Sequence, residues 1–346
     1  MPAEWERHEA TWLAWPTGKA TWSGRILKEV EAIYLRMISE LLRGEDVHLL
    51  VPNAATARRV ERKLSRSKSH AGRLIIHAVK TVDVWIRDYG PIFVKRSSEL
   101  GARSSEQTVA FTKWTFNAWG GKYKELARDN TVVDRLEYLE RSRRINVPVV
   151  REGGSIDVNG RGTCLTTEQC LLNPNRNPSL SKKEIEAILK KNLGIKNVIW
   201  LKEGIEGDDT DGHVDDIARF VGPRTILTAV EPDKKDANHA RLALNLRLLQ
   251  QTSDQDGKKF SVLELPMPGR VEIPFDAAQG RLPASYANFY IGNKAVLVPT
   301  YGHSNDTRAL KIIASLFKGR KTVGIECTAL VHGLGSIHCV TQQQPV

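Results

Sequence analysis

The stretch IARFVGPRTILTAV at 217–230 reads as two short apolar strands joined by a tight Gly222-Pro223 turn. The same plan recurs in GSIDVNGRGTCLTT at 154–167 and NFYIGNKAVLVPT at 288–300, with Asn-Gly and Gly-Asn at the turns. These are the residues that hairpin turns favour. A looser version, IFVKRSSELGARSSEQTVAFTKW at 92–114, carries a Ser/Arg/Glu-rich middle that reads as a floppy hairpin tip. The turn centres fall near 100, 160, 222 and 292, a period of about 60–70 residues.

Amphipathic helices are interleaved with these hairpins. In 24–43, Ile26, Val30, Ile33, Met37 and Leu41 keep one helical stripe with Leu27, Tyr34, Ile38 and Leu42 beside it. Further helices are predicted at 54–66, 130–142, 181–193, 236–251 and 306–317, and HLLVP, IIHAV, VIWL, SVLELP and VGIEC read as short strands. With a starting unit around TWLAWP, the pattern predicts about five strand-rich modules with helices outside. Repeats this regular favour one ring-like domain over residues 1–346. In a ring, equivalent strand ends point to a common centre, so one site can draw on every part of the chain.

Composition narrows the function classes. An apolar fraction of 41% and a charged fraction of 26% are ordinary for a globular protein. The N-terminal MPAEWERHEATWLAWP lacks a basic leader and an apolar core, and no apolar run approaches the length of a membrane span. A cytoplasmic protein without a membrane partner is expected. None of the four cysteines forms a C-x-x-C pair, and Cys164, Cys170 and Cys327 read as small buried residues. The net charge of +11 raises nucleic acid as a partner, but the basic residues fall in helix-like stretches such as RRVERKLSRSKSH at 58–70, interleaved with apolar ones. That is how solvated helix faces look, so no specific nucleic-acid binding is expected.

Four segments carry chemistry. VWIRDYGP at 84–91 places Trp85, Arg87 and Asp88 before a Gly-Pro break, and REGGSIDV at 151–158 places Glu152 before two glycines. GDDTDGHVDDIARF at 207–220 packs five carboxylates around His213, and GLGSIHCVTQQQP at 333–345 presents His338 and Cys339 on a predicted strand. Singly, each has a structural reading: a turn cap, a surface ion pair, a solvated acidic or calcium-like loop, a hydrogen-bonded histidine. A cysteine with a histidine and carboxylates also suggests a papain-like peptidase. Such a thiolate needs a neighbouring cation, whereas the surplus charge here is negative. Carboxylates raise a thiol pKa, so the arrangement makes sense if the substrate brings the positive charge, as a guanidinium does. A metal hydrolase using His213 and Asp215 is weaker, because no second ligand pair has helical spacing.

Together these segments resemble the agmatine deiminase family, also described with the bacterial-type peptidylarginine deiminases of the guanidino-modifying superfamily. The resemblance runs from MPAEWERHEATWLAWP through WIRDYGP, REGGSID, DTDGHVDDIARF and ASYANFYIGN to GSIHCVTQQQP. It implies an α/β fold, the five-bladed α/β-propeller (pentein) with pseudo-fivefold repeats. It also implies Cys339 as nucleophile, His213 as general acid/base and Glu152 as the carboxylate that orients it. Asp88 and Asp215 would grip the guanidinium, while Trp85 and Asp209 would meet the chain and far amine of agmatine. No metal or other cofactor is implied, and the partner is a small guanidine. His338 has no assigned role. Assembly stays open, with a homodimer as the candidate form. Leu334 and Ser336 stand where many relatives carry a Cys and an Asn, and Asp216 where Asn is frequent. Free arginine or peptidylarginine is the alternative substrate, since Arg87, Arg151 or Arg219 facing the site would suit a carboxylate. The non-enzymatic alternative is a catalytically silent guanidine- or polyamine-binding protein.

Overall fold

The computed structural model describes residues 1–17, 21–65, 71–95, 109–272 and 280–346. The tip of the looser hairpin, 96–108, lies outside the described residues. Among the described residues, sixteen strands form five sheets with one repeating plan. The second sheet holds β4 (Ile92–Lys95), β5 (Val109–Thr115) and β6 (Arg143–Val150). The third holds β7 (Asp157–Val158), β8 (Thr163–Thr167) and β9 (Asn197–Leu201). The fourth holds β10 (Ala218–Gly222), β11 (Thr225–Val230) and β12 (Ser261–Pro266), and the fifth β13 (Tyr290–Ile291), β14 (Ala295–Thr300) and β15 (Lys321–Glu326). In each, the first two strands are an antiparallel hairpin and the third pairs parallel with the second.

A parallel return needs a long crossover, and that is where the predicted helices sit. Helix Ala237–Gln251 links β11 to β12, Asp306–Leu316 links β14 to β15, and Lys182–Leu193 precedes β9. The last is bounded by a Ser181/Glu184 capping box and by Gly194 at φ 70°, the start and stop signals of an autonomous helix. The middle strands β8 and β14 are buried almost throughout, and β14 (AVLVPT) reads as a continuous apolar run rather than an alternating one.

The first sheet closes the ring. Its strands run β16 (Gln342–Pro345), β1 (His8–Ala14), β2 (Asp46–Leu50) and β3 (Leu74–His77). Helix Gly24–Leu41 joins β1 to β2 and buries Val30, Ile33, Tyr34, Met37 and Ile38. The hairpin partner of β1 is thus the last strand of the chain, paired Thr11↔Gln343 and Trp12↔Gln342. The five sheets match the number of modules that the repeats predict, and the fold is the α/β-propeller that the family resemblance implies. Among the described residues no helix is long and apolar enough to cross a membrane.

One expectation fails locally, and one strand was not anticipated. The helix predicted at 130–142 is instead a set of 3-10 turns, Leu126–Thr131, Val133–Arg135 and Glu137–Leu139, followed by β6. Its buried residues Val133, Leu136 and Leu139 recur every three positions, the period of a 3-10 helix. Strand β6 escaped notice because Pro148 interrupts it. The register with β5 skips from Val147 to Val150, so Pro148 sits at a bulge where its missing N–H costs nothing. Deleting residues 342–346 removes the ring-closing strand, four residues of ladder at about 1 kcal/mol each. The truncated chain is expected to lose about 4 kcal/mol of stability in denaturant melts followed by circular dichroism; an unchanged midpoint would mean that β16 is not what closes the ring.

Candidate active site

Residues from four modules converge on one cavity of about 490 Å³. Trp85, Asp88, Asp209 and Cys339 line it, and His213, Asp215 and Glu152 lie immediately behind, all three fully buried. Cys339 Sγ is 4.0 Å from Asp215 Oδ2, and His213 Nδ1 is 4.0 Å from Asp88 Oδ1. All seven residues expected from the sequence therefore share one site.

Local sequence explains each placement. Trp85 precedes the single helical turn Ile86–Tyr89, whose Arg87 N–H donates to the Cys339 carbonyl at 3.3 Å. Cys339 lies in a turn ahead of β16, not on a strand as the sequence suggested. A turn lets its thiol and the Asn288 side chain meet, with Asn288 Nδ2 donating to Sγ at 3.2 Å. The two glycines after Glu152 are needed for close approach. A Cβ on Gly154 would lie 2.6 Å from His213 Nδ1, and one on Gly153 would lie 2.0 Å from the Arg87 carbonyl oxygen. Gly335 is similarly pressed against the Trp85 ring. In the acidic loop, the Asp208 carboxylate accepts from the backbone of Thr210, Gly212 and His213 and so folds the loop. Asp211 pairs with Arg176 and Lys122, which leaves Asp209 as the loop's carboxylate on the cavity, where it accepts from the Tyr123 hydroxyl.

The electrostatics follow from burial and like charge. Burial, then Asp215, Asp216 and Asp88, push the Cys339 thiol well above its ordinary range. Burial alone would keep His213 neutral, but Asp88, Cys170 and Asp215 outweigh it and hold its pKa well above the usual value. Burial raises Asp88 despite the nearby His213. At neutral pH the site thus holds a thiol and an imidazolium. Asp215 Oδ1, Glu152 Oε2 and His213 Nε2 are buried without a hydrogen-bond partner among the described residues. Glu152, Cys170 and His213 bring possible metal donors within 4.8 Å of one another. Arg176 already pairs with Glu152 Oε1 at 2.7 Å, and Arg151, also buried, donates to the Glu152 carbonyl. Two guanidiniums there favour a proton on His213 over a divalent ion.

Several functional positions were not singled out from the sequence. Trp119 lines the cavity and donates to Asp88 Oδ2 at 2.9 Å from a left-handed backbone (φ 53°), a conformation that costs energy for a non-glycine residue. The Gly-Gly that follows it in NAWGG was the available signal. Arg176 clamps Glu152 to the acidic loop. Cys170, taken as an inert core residue, lies against His213. Glu4 and Asn288 gave no signal, because a single buried Glu or Asn looks like any other in sequence.

A ring of five strand modules around a buried thiol, a histidine and carboxylates is the architecture of the guanidino-modifying enzymes. The chain belongs to the Porphyromonas-type peptidyl-arginine deiminase family, which it matches over residues 1–345. It is 37% identical to an agmatine deiminase of Medicago truncatula over 366 aligned positions, covering 100% of this chain and 96% of that one. An agmatine deiminase of Ectopseudomonas mendocina is 36% identical, with 100% and 95% covered. Among solved structures, a cysteine-to-serine agmatine deiminase of C. jejuni with substrate bound superposes with a TM-score of 0.84 at 32% identity, covering 99% and 95%. An agmatine deiminase of Enterococcus faecalis gives 0.86 at 31%, covering 100% and 95%.

A raised thiol pKa keeps Cys339 protonated at neutral pH, and the thiolate fraction grows as pH rises. Alkylation of Cys339 by iodoacetamide in the free protein, followed by mass spectrometry, is expected to accelerate about tenfold per pH unit from pH 7 to 9. A plateau below pH 8 would contradict the electrostatics of the site.

Proposed function

We infer that this protein hydrolyses the guanidinium of agmatine to N-carbamoylputrescine and ammonia, with residues 1–346 acting as one catalytic domain. The observation that carries the substrate choice is the charge of the cavity wall. Asp83, Asp88 and Asp209 line it, with Lys124 and an Arg128-paired Glu125 both exposed. The arginines that would suit an α-carboxylate do not line it: Arg87 and Arg219 pair with Glu4, and Arg151 stacks on Trp114. A dication fits this wall, and a substrate with a carboxylate beside its amine does not. The substrate-bound C. jejuni relative points the same way.

In the reading we favour, Asp88 and the unpartnered Oδ1 of Asp215 hold the guanidinium nitrogens. The bound cation offsets the carboxylates that suppress Cys339, and its sulfur adds to the central carbon. His213 passes a proton to the departing nitrogen, so ammonia leaves and an amidino-thioether remains; the thiol proton balances this step. Glu152 holds His213 from behind. Water, activated by His213, then adds to the same carbon. Its oxygen becomes the ureido carbonyl, one proton restores the thiol and the other leaves with ammonia as ammonium. Trp85 packs the methylene chain and Asp209 receives the far amine. The chemistry uses this chain's side chains and needs no cofactor. A free thiol nucleophile suits the reducing cytoplasm.

Ammonia release from a panel of agmatine, arginine and an arginyl peptide tests the reading. Agmatine is expected to exceed arginine by at least ~100-fold in kcat/KM, because arginine would bury an unpaired carboxylate. Cys339→Ala is expected to abolish turnover with an unchanged melting temperature. Preference for arginine would overturn the substrate, and activity in Cys339→Ala would overturn the mechanism.

A further inference from the structure

His338 takes no part in the reaction above, yet both nitrogens of its buried ring face carboxylates. Nδ1 is 2.6 Å from Asp215 Oδ2, and Nε2 is 2.8 Å from Glu4 Oε2. An ionised carboxylate only accepts. Both contacts are therefore hydrogen bonds only if each ring nitrogen carries a proton. The alternative is a proton on one of the acids, and their surroundings oppose it. Burial works against the charge on both. Independently of His338, Glu4 accepts from Arg219, Arg87 and the Ile291 N–H, and His213 and Arg219 favour the charged form of Asp215.

We propose that His338 is a positioning residue, a fixed imidazolium anchored by Glu4 of the N-terminal segment, that orients Asp215 for the guanidinium. This rests on the assignment of Asp215 as a guanidinium-binding carboxylate. The hydrogen bond pins Oδ2 of Asp215 and leaves Oδ1 unpartnered. The ring cannot turn away. Its backbone N–H donates to Asn288, at 3.1 Å to the carbonyl and 2.9 Å to Oδ1, and Arg87 Nε donates to its carbonyl at 3.2 Å. The charged groups facing it from every packed element are Glu4, Arg87, Asp157 on β7, Asp215 and Arg219 on β10, with the Cys339 thiol next in the chain. Two guanidiniums thus oppose three carboxylates, and the imidazolium evens the count. Its charge also keeps Asp215 ionised in a site that must discard a proton only when the substrate cation arrives.

His338→Gln keeps a donor for Asp215 but removes the charge. With agmatine we expect KM to rise about tenfold, kcat to change less than about threefold, and the acid limb of kcat/KM to move up by about one pH unit. A merely structural role would lower kcat and the folded fraction together and leave the limb in place; that outcome overturns the proposal. Nitrogen-15 NMR of labelled histidine in the full-length protein reads the protonation state without turnover. The His338 signal, assigned by its loss in His338→Gln or, where that variant does not fold, by its shift in Glu4→Gln, is expected to show both nitrogens protonated at pH 7.5. A neutral tautomer there overturns the proposal whatever the kinetics. Failure of the wild-type protein to turn over agmatine would overturn the substrate reading and leave the imidazolium result standing.

Discussion

Four residues from the end of the chain that opens the ring, the carboxylate of Glu4 holds the axis of the propeller together. It accepts from Arg219 Nη2 at 2.9 Å, His338 Nε2 at 2.8 Å, Arg87 Nη2 at 3.3 Å and the Ile291 backbone at 2.9 Å. Those partners belong to the fourth, first, second and fifth modules. The third joins through Asp157 on β7, 3.4 Å from Arg219 Nε. One carboxylate and one guanidinium therefore reach all five modules. Buried charges are retained only when paired, and removing one partner from such a pair costs about 3–5 kcal/mol. The modules cannot slide relative to one another without breaking that pairing.

The same constraint sets the chemistry. Neutralising the axis requires its cations to be committed to Glu4, Asp157 and Glu152, as Arg87, Arg219 and Arg176 are. Few cations remain for the cavity side, where Asp88, Asp215 and Asp216 crowd Cys339. The thiol is suppressed by the residues that would bind a guanidinium. An enzyme built this way keeps its nucleophile quiet toward stray electrophiles and wakes it with the charge of its own substrate. The buried arginines Arg87, Arg151 and Arg219 belong to the fold and do not line the cavity.

Much of this was legible in the sequence, and the reason is the repeat. Turn residues such as Asn159-Gly160 and Gly292-Asn293 mark hairpins by local backbone demand, and that demand does not depend on tertiary context. The candidate site segments stood out because they lie beside Gly-rich turns, as Gly154 does at His213, while the roles proposed for their residues rest on the family resemblance. What stayed hidden depends on distant partners. Glu4 meets His338 across 334 positions, and Asn288 meets Cys339 across 51. No local spacing encodes such meetings. The 3-10 turns at 126–139 were misread because apolar residues three apart satisfy both helical periods, and the 3-10 solution wins where Leu136 leaves helical geometry at ψ 84°.

Asp216 shows how the site absorbs a departure from its relatives. An extra carboxylate beside Cys339, where Asn is frequent in the family, would deepen the suppression of the thiol if it were charged. It is fully buried, and burial, Asp215 and Asp208 drive its pKa well above the ordinary value. Those surroundings favour its neutral form. Its Oδ1 accepts from Asn288 Nδ2 at 2.9 Å, the same amide nitrogen that reaches Cys339 Sγ at 3.2 Å. A protonated carboxyl has one donor and one acceptor edge, as a primary amide does, so Asp can stand in for Asn without adding charge. Asp216 adds to the suppression of the thiol by Asp215 and Asp88 only in its charged form, and the dependence of Cys339 on an arriving cation survives the substitution.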